Sequence, residues 1–294
     1  MSSLFRCPNK FFALALFAFV LAGCAQSGGV QSKTATVYGM KVHYLEAGTG
    51  PTVILLHGLG ADASVWAPTI APLARHYRVI APDQIGFGRS DKPLINYRIA
   101  TLVDFLDGFY QALGIERATL VGNSLGGAAA ASFALAHPQK VERLVLVASG
   151  GYALPKDADP NALYALNPST RAGMKQVLQA VFYDKERFVS DAGAADIFAK
   201  KLADGDGYAV QKFLESYIRG EDLLDGRLAA IGAPTLVVWG REDALTPLPL
   251  GERFKKDIPR AELVVFDKCG HLPQIEQAEQ FNAAVLKFLA ARAP

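Results

Sequence analysis

Cysteine is scarce in this chain of 294 residues: there are three, at Cys7, Cys24 and Cys269. That excludes a disulfide scaffold. Charge of one sign is also lacking, since 30 basic and 28 acidic residues leave a formal net charge of +2. A near-neutral chain lacks the electrostatic footprint of a nucleic-acid binder, so no nucleic-acid partner is expected. No group of histidine, cysteine and carboxylate residues has metal-ligand spacing. Gly86-x-Gly88 lacks the third glycine and the following helix of a dinucleotide site. No metal and no cofactor are therefore expected. Internal repeats are absent. What the chain does have is apolar material, 51% of residues against 20% charged, which excludes a disordered polymer. Its length suits one large domain or two small ones and is ample for a buried core.

Residues 1–23 read as a leader rather than as part of the fold. Arg6 and Lys10 give a basic start, and residues 11–22 are an unbroken apolar run. The run is short for a bilayer span, which needs about 20 apolar residues, and it has no polar face for a core helix. Leu21-Ala22-Gly23-Cys24 resembles the lipobox of bacterial lipoproteins. The resemblance implies cleavage before Cys24, lipid attachment to its sulfur, and a membrane as partner through that lipid. It implies a place in the bacterial cell envelope, and the outer membrane in a Gram-negative host because Ala25 is not aspartate. Residues 24–33 are polar and Gly-rich and read as a flexible tether.

From residue 34 onward strands and helices alternate. Met40 to Leu45 with Val37 reads as a hairpin turning at Gly39. Short apolar runs follow at 52–56, 78–81, 118–121, 143–147, 234–239 and 262–266. Continuous runs of this kind suit strands covered on both faces, as in a parallel sheet. Between them lie helical patterns, such as Leu102, Phe105, Leu106, Phe109 and Leu113. The expected fold is α/β, with helices on both faces of the sheet. One stretch, 152–223, has no good strand. It carries two helical stripes, one from Met174 to Phe182 and one from Val210 to Ile218, and reads as an inserted helical cap or lid. The core is then 34–151 together with 224–294.

Gly122-Asn123-Ser124-Leu125-Gly126 is a G-x-S-x-G sequence. It directly follows the apolar run 118–121 and opens a small-residue helix over 125–136. A serine in that strand–turn–helix setting is held on a sharp turn with its hydroxyl exposed at the sheet edge. A helix N-cap serine is the plainer alternative, but it explains neither flanking glycine. A hydroxyl nucleophile needs a base and a group that orients the base. Of five histidines, His271 lies on a loop past the last strand, at the edge where open α/β sheets collect catalytic groups. The remaining four are His43 in the hairpin, His57 before Gly58, His76 in a polar stretch and His137 at a helix end. Asp243 leaves the strand ending at Trp239 and completes the chain order Ser, Asp, His; Glu242 is its main competitor and Asp267 a weaker one. The oxyanion donors expected are the N–H of Leu125 and that of Leu59 in His57-Gly58-Leu59-Gly60. His57 then braces that loop. Asn123, Gly58 and Leu272 are candidate substrate contacts.

With these pieces in place the chain resembles the α/β-hydrolase superfamily. The matching segments are His57-Gly58-Leu59-Gly60, Asp83-Gln84-Ile85-Gly86-Phe87-Gly88-Arg89-Ser90-Asp91, Gly122 to Gly127, Trp239 to Asp243, and Cys269-Gly270-His271. The resemblance implies a mostly parallel eight-stranded sheet with the cap inserted after strand 6. Within the superfamily the chain is similar to the branch of meta-cleavage-product hydrolases, carboxylesterases and monoacylglycerol-type lipases. Carbon–carbon hydrolases of that branch usually place tryptophan after the catalytic histidine and arginine in the cap. This chain has Leu272, and no arginine over 195–200. On that ground the expectation is a serine carboxylesterase or lipase with an ester or lipid substrate. Carbon–carbon hydrolysis with the same triad, lactone hydrolysis and a catalytically silent binding role are the alternatives. Nothing in the sequence speaks to oligomeric state.

Overall fold

The computed structural model describes residues 29–291. The expected leader, its Cys24 acceptor and the first part of the tether lie outside the described residues. Eight strands form one sheet among the described residues, in the order β1-β2-β4-β3-β5-β6-β7-β8. They are β1 (Gln31–Val37), β2 (Met40–Ala47), β3 (Thr52–Leu56), β4 (Arg78–Pro82), β5 (Ala118–Asn123), β6 (Val141–Val147), β7 (Thr235–Gly240) and β8 (Ala261–Phe266). The β1–β2 and β2–β4 pairs are antiparallel, and every other pair is parallel.

The helices are α1 (Ala67–Ala74), α2 (Ile99–Ala112), α3 (Leu125–Ala136), α4 (Arg171–Val181), α5 (Lys185–Phe188), α6 (Asp191–Asp204), α7 (Gly207–Ile218), α8 (Leu248–Asp257), α9 (Pro273–Glu276) and α10 (Ala278–Ala290). Successive strand residues point to opposite faces, which divides the core in two. Ile54, Leu120, Leu146 and Val237 meet Phe109 of α2, Phe133 of α3 and Phe254 of α8. Val53, Val121, Val145 and Val238 meet Leu73 of α1 and Phe281 of α10 on the other side. Both faces are dry, which is why the strands read as unbroken apolar runs and not as alternating ones.

The hairpin turns where expected, with Tyr38 and Gly39 both at positive φ. One boundary is corrected: β1 begins at Gln31, so residues 31–33 are strand and not tether. The reason is pairing that a composition argument does not register. Gln31 to Lys33 face Glu46 to Tyr44 across the ladder, Lys33 forms an ion pair with Glu46, and Ser32 Oγ lies 2.9 Å from His43 Nε2.

No strand occurs between β6 and β7 among the described residues; α4 to α7 fill that insertion. Both expected stripes are used. Met174 and Leu178 of α4 pack on Ala194 of α6. Val210, Phe213 and Leu214 of α7 pack on Ile85, Phe87 and Tyr97 of the core. Side-chain caps open α4 and α6: Thr170 accepts from the Gly173 N–H, and Ser190 accepts from the Gly193 N–H.

Candidate active site

Ser124 sits between β5 and α3 with φ 55° and ψ −117°, a conformation that strains a residue with a Cβ. Its neighbours hold it there. The Ser124 N–H donates to the Val147 carbonyl at 3.0 Å, and its carbonyl accepts from Gly127, Ala128 and Gly150. The flanking glycines are a steric necessity. A Cβ on Gly122 would stand 2.2 Å from the Gly126 oxygen, and one on Gly126 would stand 2.3 Å from the Leu56 oxygen. Strand, helix and the loop after β3 therefore meet with no room for side chains, and the turn between them has to be tight.

His271 and Asp243 come together as expected. Nδ1 of His271 lies 2.8 Å from Oδ2 of Asp243, and both residues are buried. The other carboxylate oxygen, Oδ1, accepts from the N–H groups of Leu245 and Thr246, each at 2.9 Å. Oδ2 also accepts from the Thr246 hydroxyl at 2.7 Å. Burial works to raise the Asp243 carboxyl, but His271 and the Thr246 donors outweigh it and hold it below its ordinary value. An ionised carboxylate only accepts hydrogen bonds. Nδ1 of His271 must then carry the proton, which leaves Nε2 with a free lone pair, as a general base requires.

Ser124 is tied to this pair through its neighbour Asn123. Its amide donates to the Val147 carbonyl at 3.1 Å and to the His271 carbonyl at 3.2 Å. That amide group is committed to backbone, so on this side Asn123 holds the His271 loop against β5. Its Oδ1 lies beside Gly58, where a Cβ would stand 3.3 Å from it and 3.2 Å from the Ser124 Cβ. Leu125 is the first residue of α3, where an N–H has no intrahelical acceptor and faces outward. Leu59 and Leu125 flank the apolar layer that α7 covers. Leu272 is half-buried at the start of α9, directly after His271.

The competing residues are occupied elsewhere. Glu242 accepts from the Cys269 N–H at 3.0 Å, and Asp267 is exposed and paired with Arg241. His43 is held by Asp83 at 2.8 Å, and His137 ends α3. Cys269 is buried, and burial pushes its thiol far up, so it is not a nucleophile.

His57 braces the loop after β3, as expected. Its Nδ1 donates to the Gly58 carbonyl at 2.8 Å, and its Nε2 accepts from the Gln84 N–H at 2.9 Å. Gln84 returns a hydrogen bond to the His57 carbonyl at 2.7 Å. Burial pushes the imidazole below its ordinary value, and the accepting Nε2 requires the neutral form. A stability effect follows. The unfolded chain takes up a proton near pH 6.5 that the folded chain refuses, so stability falls as pH drops from about 6.5 toward the folded value. The slope is about 1.4 kcal/mol per pH unit. Denaturant unfolding between pH 8 and pH 5.5 should show this component, and His57→Asn should lack it. An identical pH slope in the two proteins would rule it out.

Two residues that matter at this site have no motif. Thr246 shares Asp243 with His271, and the only signal for it is an Asx-type turn, an aspartate whose side chain binds N–H groups two and three residues on. The other is Glu276, which binds one backbone N–H six residues before it, at Gly270, and one 93 residues before it, at Tyr183.

Residues 51–278 match the family described as alpha/beta hydrolase fold. The chain is 35% identical over 260 residues to 2-hydroxymuconate semialdehyde hydrolase of Pseudomonas sp. (strain CF600), covering 86% of this chain and 91% of that protein. It is 36% identical over 261 residues to 2-hydroxy-6-oxo-2,4-heptadienoate hydrolase of Pseudomonas putida, covering 86% and 94%. Among solved structures, a meta-cleavage product hydrolase from Pseudomonas fluorescens IP01 superposes with a TM-score of 0.79 at 34% identity, covering 87% and 97%.

These relatives overturn the expectation of an ester- or lipid-hydrolysing enzyme, which rested on Leu272 and on the absence of arginine over 195–200. The physical reason is that neither feature touches the step the two chemistries share. Attack on an ester and attack on a ketone both pass through a tetrahedral oxyanion, served by the same serine, base and N–H donors. Two local departures, Leu272 and the stretch 195–200, do not outweigh similarity along the whole chain. The mostly parallel sheet, the strained serine turn and the match over most of the chain place it in the α/β-hydrolase family, as a hydrolase with meta-cleavage-product hydrolases among its relatives.

Proposed function

We propose that this protein hydrolyses a carbon–carbon bond in a 2-hydroxy-6-oxo dienoic acid. The observation that carries the reading is the similarity to relatives named for such substrates, which covers 86% of this chain. Ser124 is the nucleophile, His271 the base, Asp243 the group that fixes the base's tautomer, and Leu59 and Leu125 the oxyanion donors.

The chemistry follows from these roles. The Ser124 hydroxyl adds to the 6-oxo carbon while Nε2 of His271 takes its proton. The N–H groups of Leu59 and Leu125 receive the oxyanion. Collapse restores the carbonyl and breaks the bond to carbon 5. A carbon leaves only when its electron pair has a sink; carbon 5 of the dienol is vinylic and has none, so the 2-hydroxyl proton must first move to carbon 5, and the resulting 2-oxo-3-ene then takes the pair as an extended enolate. The proton held on His271 goes to that fragment, and the acyl group stays on Ser124. Water, deprotonated by His271, then releases the carboxylic acid and returns the serine. One substrate and one water yield one carboxylic acid and one hydroxydienoate. The helical insertion acts as a cap over this site.

The test is loss of the visible dienolate absorbance of 2-hydroxy-6-oxohepta-2,4-dienoate, with one acetate formed per molecule consumed. Turnover within the ordinary enzymatic range of about 1–10³ per second is expected. No loss of absorbance beyond the enzyme-free rate sinks the reading.

A further inference from the structure

The insertion meets the core through ion pairs such as Lys200–Asp62, apolar packing, and hydrogen bonds such as that from the Ala100 N–H to Asp222. One buried contact reaches the loop of His271. Glu276, at the end of α9, is 8% exposed. Its Oε1 accepts from the Gly270 N–H at 2.8 Å. Its Oε2 accepts from the Tyr183 N–H at 2.8 Å and, more weakly, from Asp184 at 3.5 Å. One carboxylate thus holds the residue before His271 with one oxygen and the end of α4 with the other. A second link lies alongside: the His271 N–H donates to the Val181 carbonyl at 2.8 Å. Gly270 has no space to spare between them. A Cβ there would stand 2.5 Å from the Val181 oxygen and 2.9 Å from the Tyr183 nitrogen.

This is an unusual place for an acid. Burial raises the Glu276 carboxyl above its ordinary value, although the Tyr183, Gly270, Asp184 and Leu272 N–H groups pull against it. A buried carboxylate facing backbone donors is costly to isolate, and it holds only while those donors stay in place. The donors come from two parts of the chain about 90 residues apart, one in the insertion and one in the loop that carries the base.

We propose that Glu276 is a positioning residue that fastens segment 181–183 of the insertion to the His271 loop, so that seating of the insertion and placement of the imidazole are one event. It touches neither substrate nor the reacting atoms; it acts through the backbone of Gly270 and His271. An insertion that lifts to admit substrate would release Val181 and Tyr183 and leave the His271 loop less constrained. Closure would restore the working geometry.

The proposal rests on His271 being the base, as assigned above, so its test uses a reagent that needs the triad but not the natural substrate. The rate constant for fluorophosphonate labelling of Ser124 is measured in the full protein and in Glu276→Gln and Glu276→Ala. Amide hydrogen exchange is followed at Gly270, His271 and Tyr183. Glutamine keeps the shape but offers one carbonyl oxygen, and its NH₂ meets a donor. Labelling is expected to slow by about 10–100-fold in both variants, the scale that misplacing a catalytic group by about 1 Å produces. The three amides should lose protection together. With dienoate substrate, kcat should fall by the same factor while KM stays within about threefold.

Labelling at the parental rate in a folded Glu276→Gln protein overturns the proposal. So does loss of protection at Tyr183 with none at Gly270 and His271. Should Glu276→Ala fail to fold, the isosteric glutamine variant decides. A parent protein that labels normally but leaves dienoate untouched refutes the proposed reaction and leaves this coupling standing.

Discussion

Replacing Ser124 with alanine is expected to lower kcat for dienoate cleavage by about 10⁴–10⁶-fold, with KM little changed. The argument is chemical. Without Oγ there is no acyl-enzyme, and the remaining groups can only polarise the carbonyl and orient a water molecule. The fold should survive, because alanine keeps the Cβ that already fits beside Gly58. The backbone hydrogen bonds to Val147, Gly127, Ala128 and Gly150 do not involve the hydroxyl. His271→Ala should cost a similar factor, and the double variant should be no worse than either single one, since the two groups act as a unit. Single-turnover kinetics with folded variants provide the measurement. A Ser124→Ala protein retaining a tenth of parental kcat would show that cleavage runs without covalent catalysis.

The second large effect is expected at Asp243. Asp243→Asn should lower kcat by about 10⁴-fold while leaving the fold nearly unchanged. The hydrogen bonds say why. Oδ1 is held by the Leu245 and Thr246 N–H groups, so it must remain an oxygen. The amide NH₂ of asparagine is then forced to the Oδ2 position, which faces Nδ1 of His271 and the Thr246 hydroxyl. An NH₂ there donates to Nδ1 and drives the proton to Nε2, which removes the lone pair that should receive the serine proton. Glu242→Gln provides the control. Among the described residues the Glu242 side chain binds the Cys269 N–H alone, so its loss should change kcat by less than about tenfold. If the two variants were to exchange these effects, the acid would be Glu242 and the tautomer argument would be wrong.

Much of this site is legible in the amino-acid sequence. The strand runs were visible because a parallel sheet dry on both faces requires unbroken apolar segments. The Ser124 turn was visible because close approach of strand, helix and loop excludes every Cβ, and that exclusion is written as glycine at 122 and 126. Asp243 and His271 were found from their place after strand ends. The expectation of an ester bond, drawn from Leu272 and the missing arginine, is overturned because two local departures carry less information than similarity along the chain. Thr246 and Glu276 were missed for another reason. Glu276 binds backbone N–H groups, which every residue except proline has, and Thr246 donates to the Asp243 carboxylate through a hydroxyl that could meet any acceptor, so composition carries no mark of which partners will be used.

The amino-acid sequence alone determined the α/β architecture, the strained serine turn and the order of the three reactive residues, since each rests on local sterics or on the period of apolar residues. Only the tertiary structure decided which acid reaches His271, which tautomer that acid enforces, and that Glu276 joins the insertion to the loop of the base. Those outcomes depend on directional hydrogen bonds between segments far apart along the chain, whose meeting is set by packing and not by any neighbour in sequence.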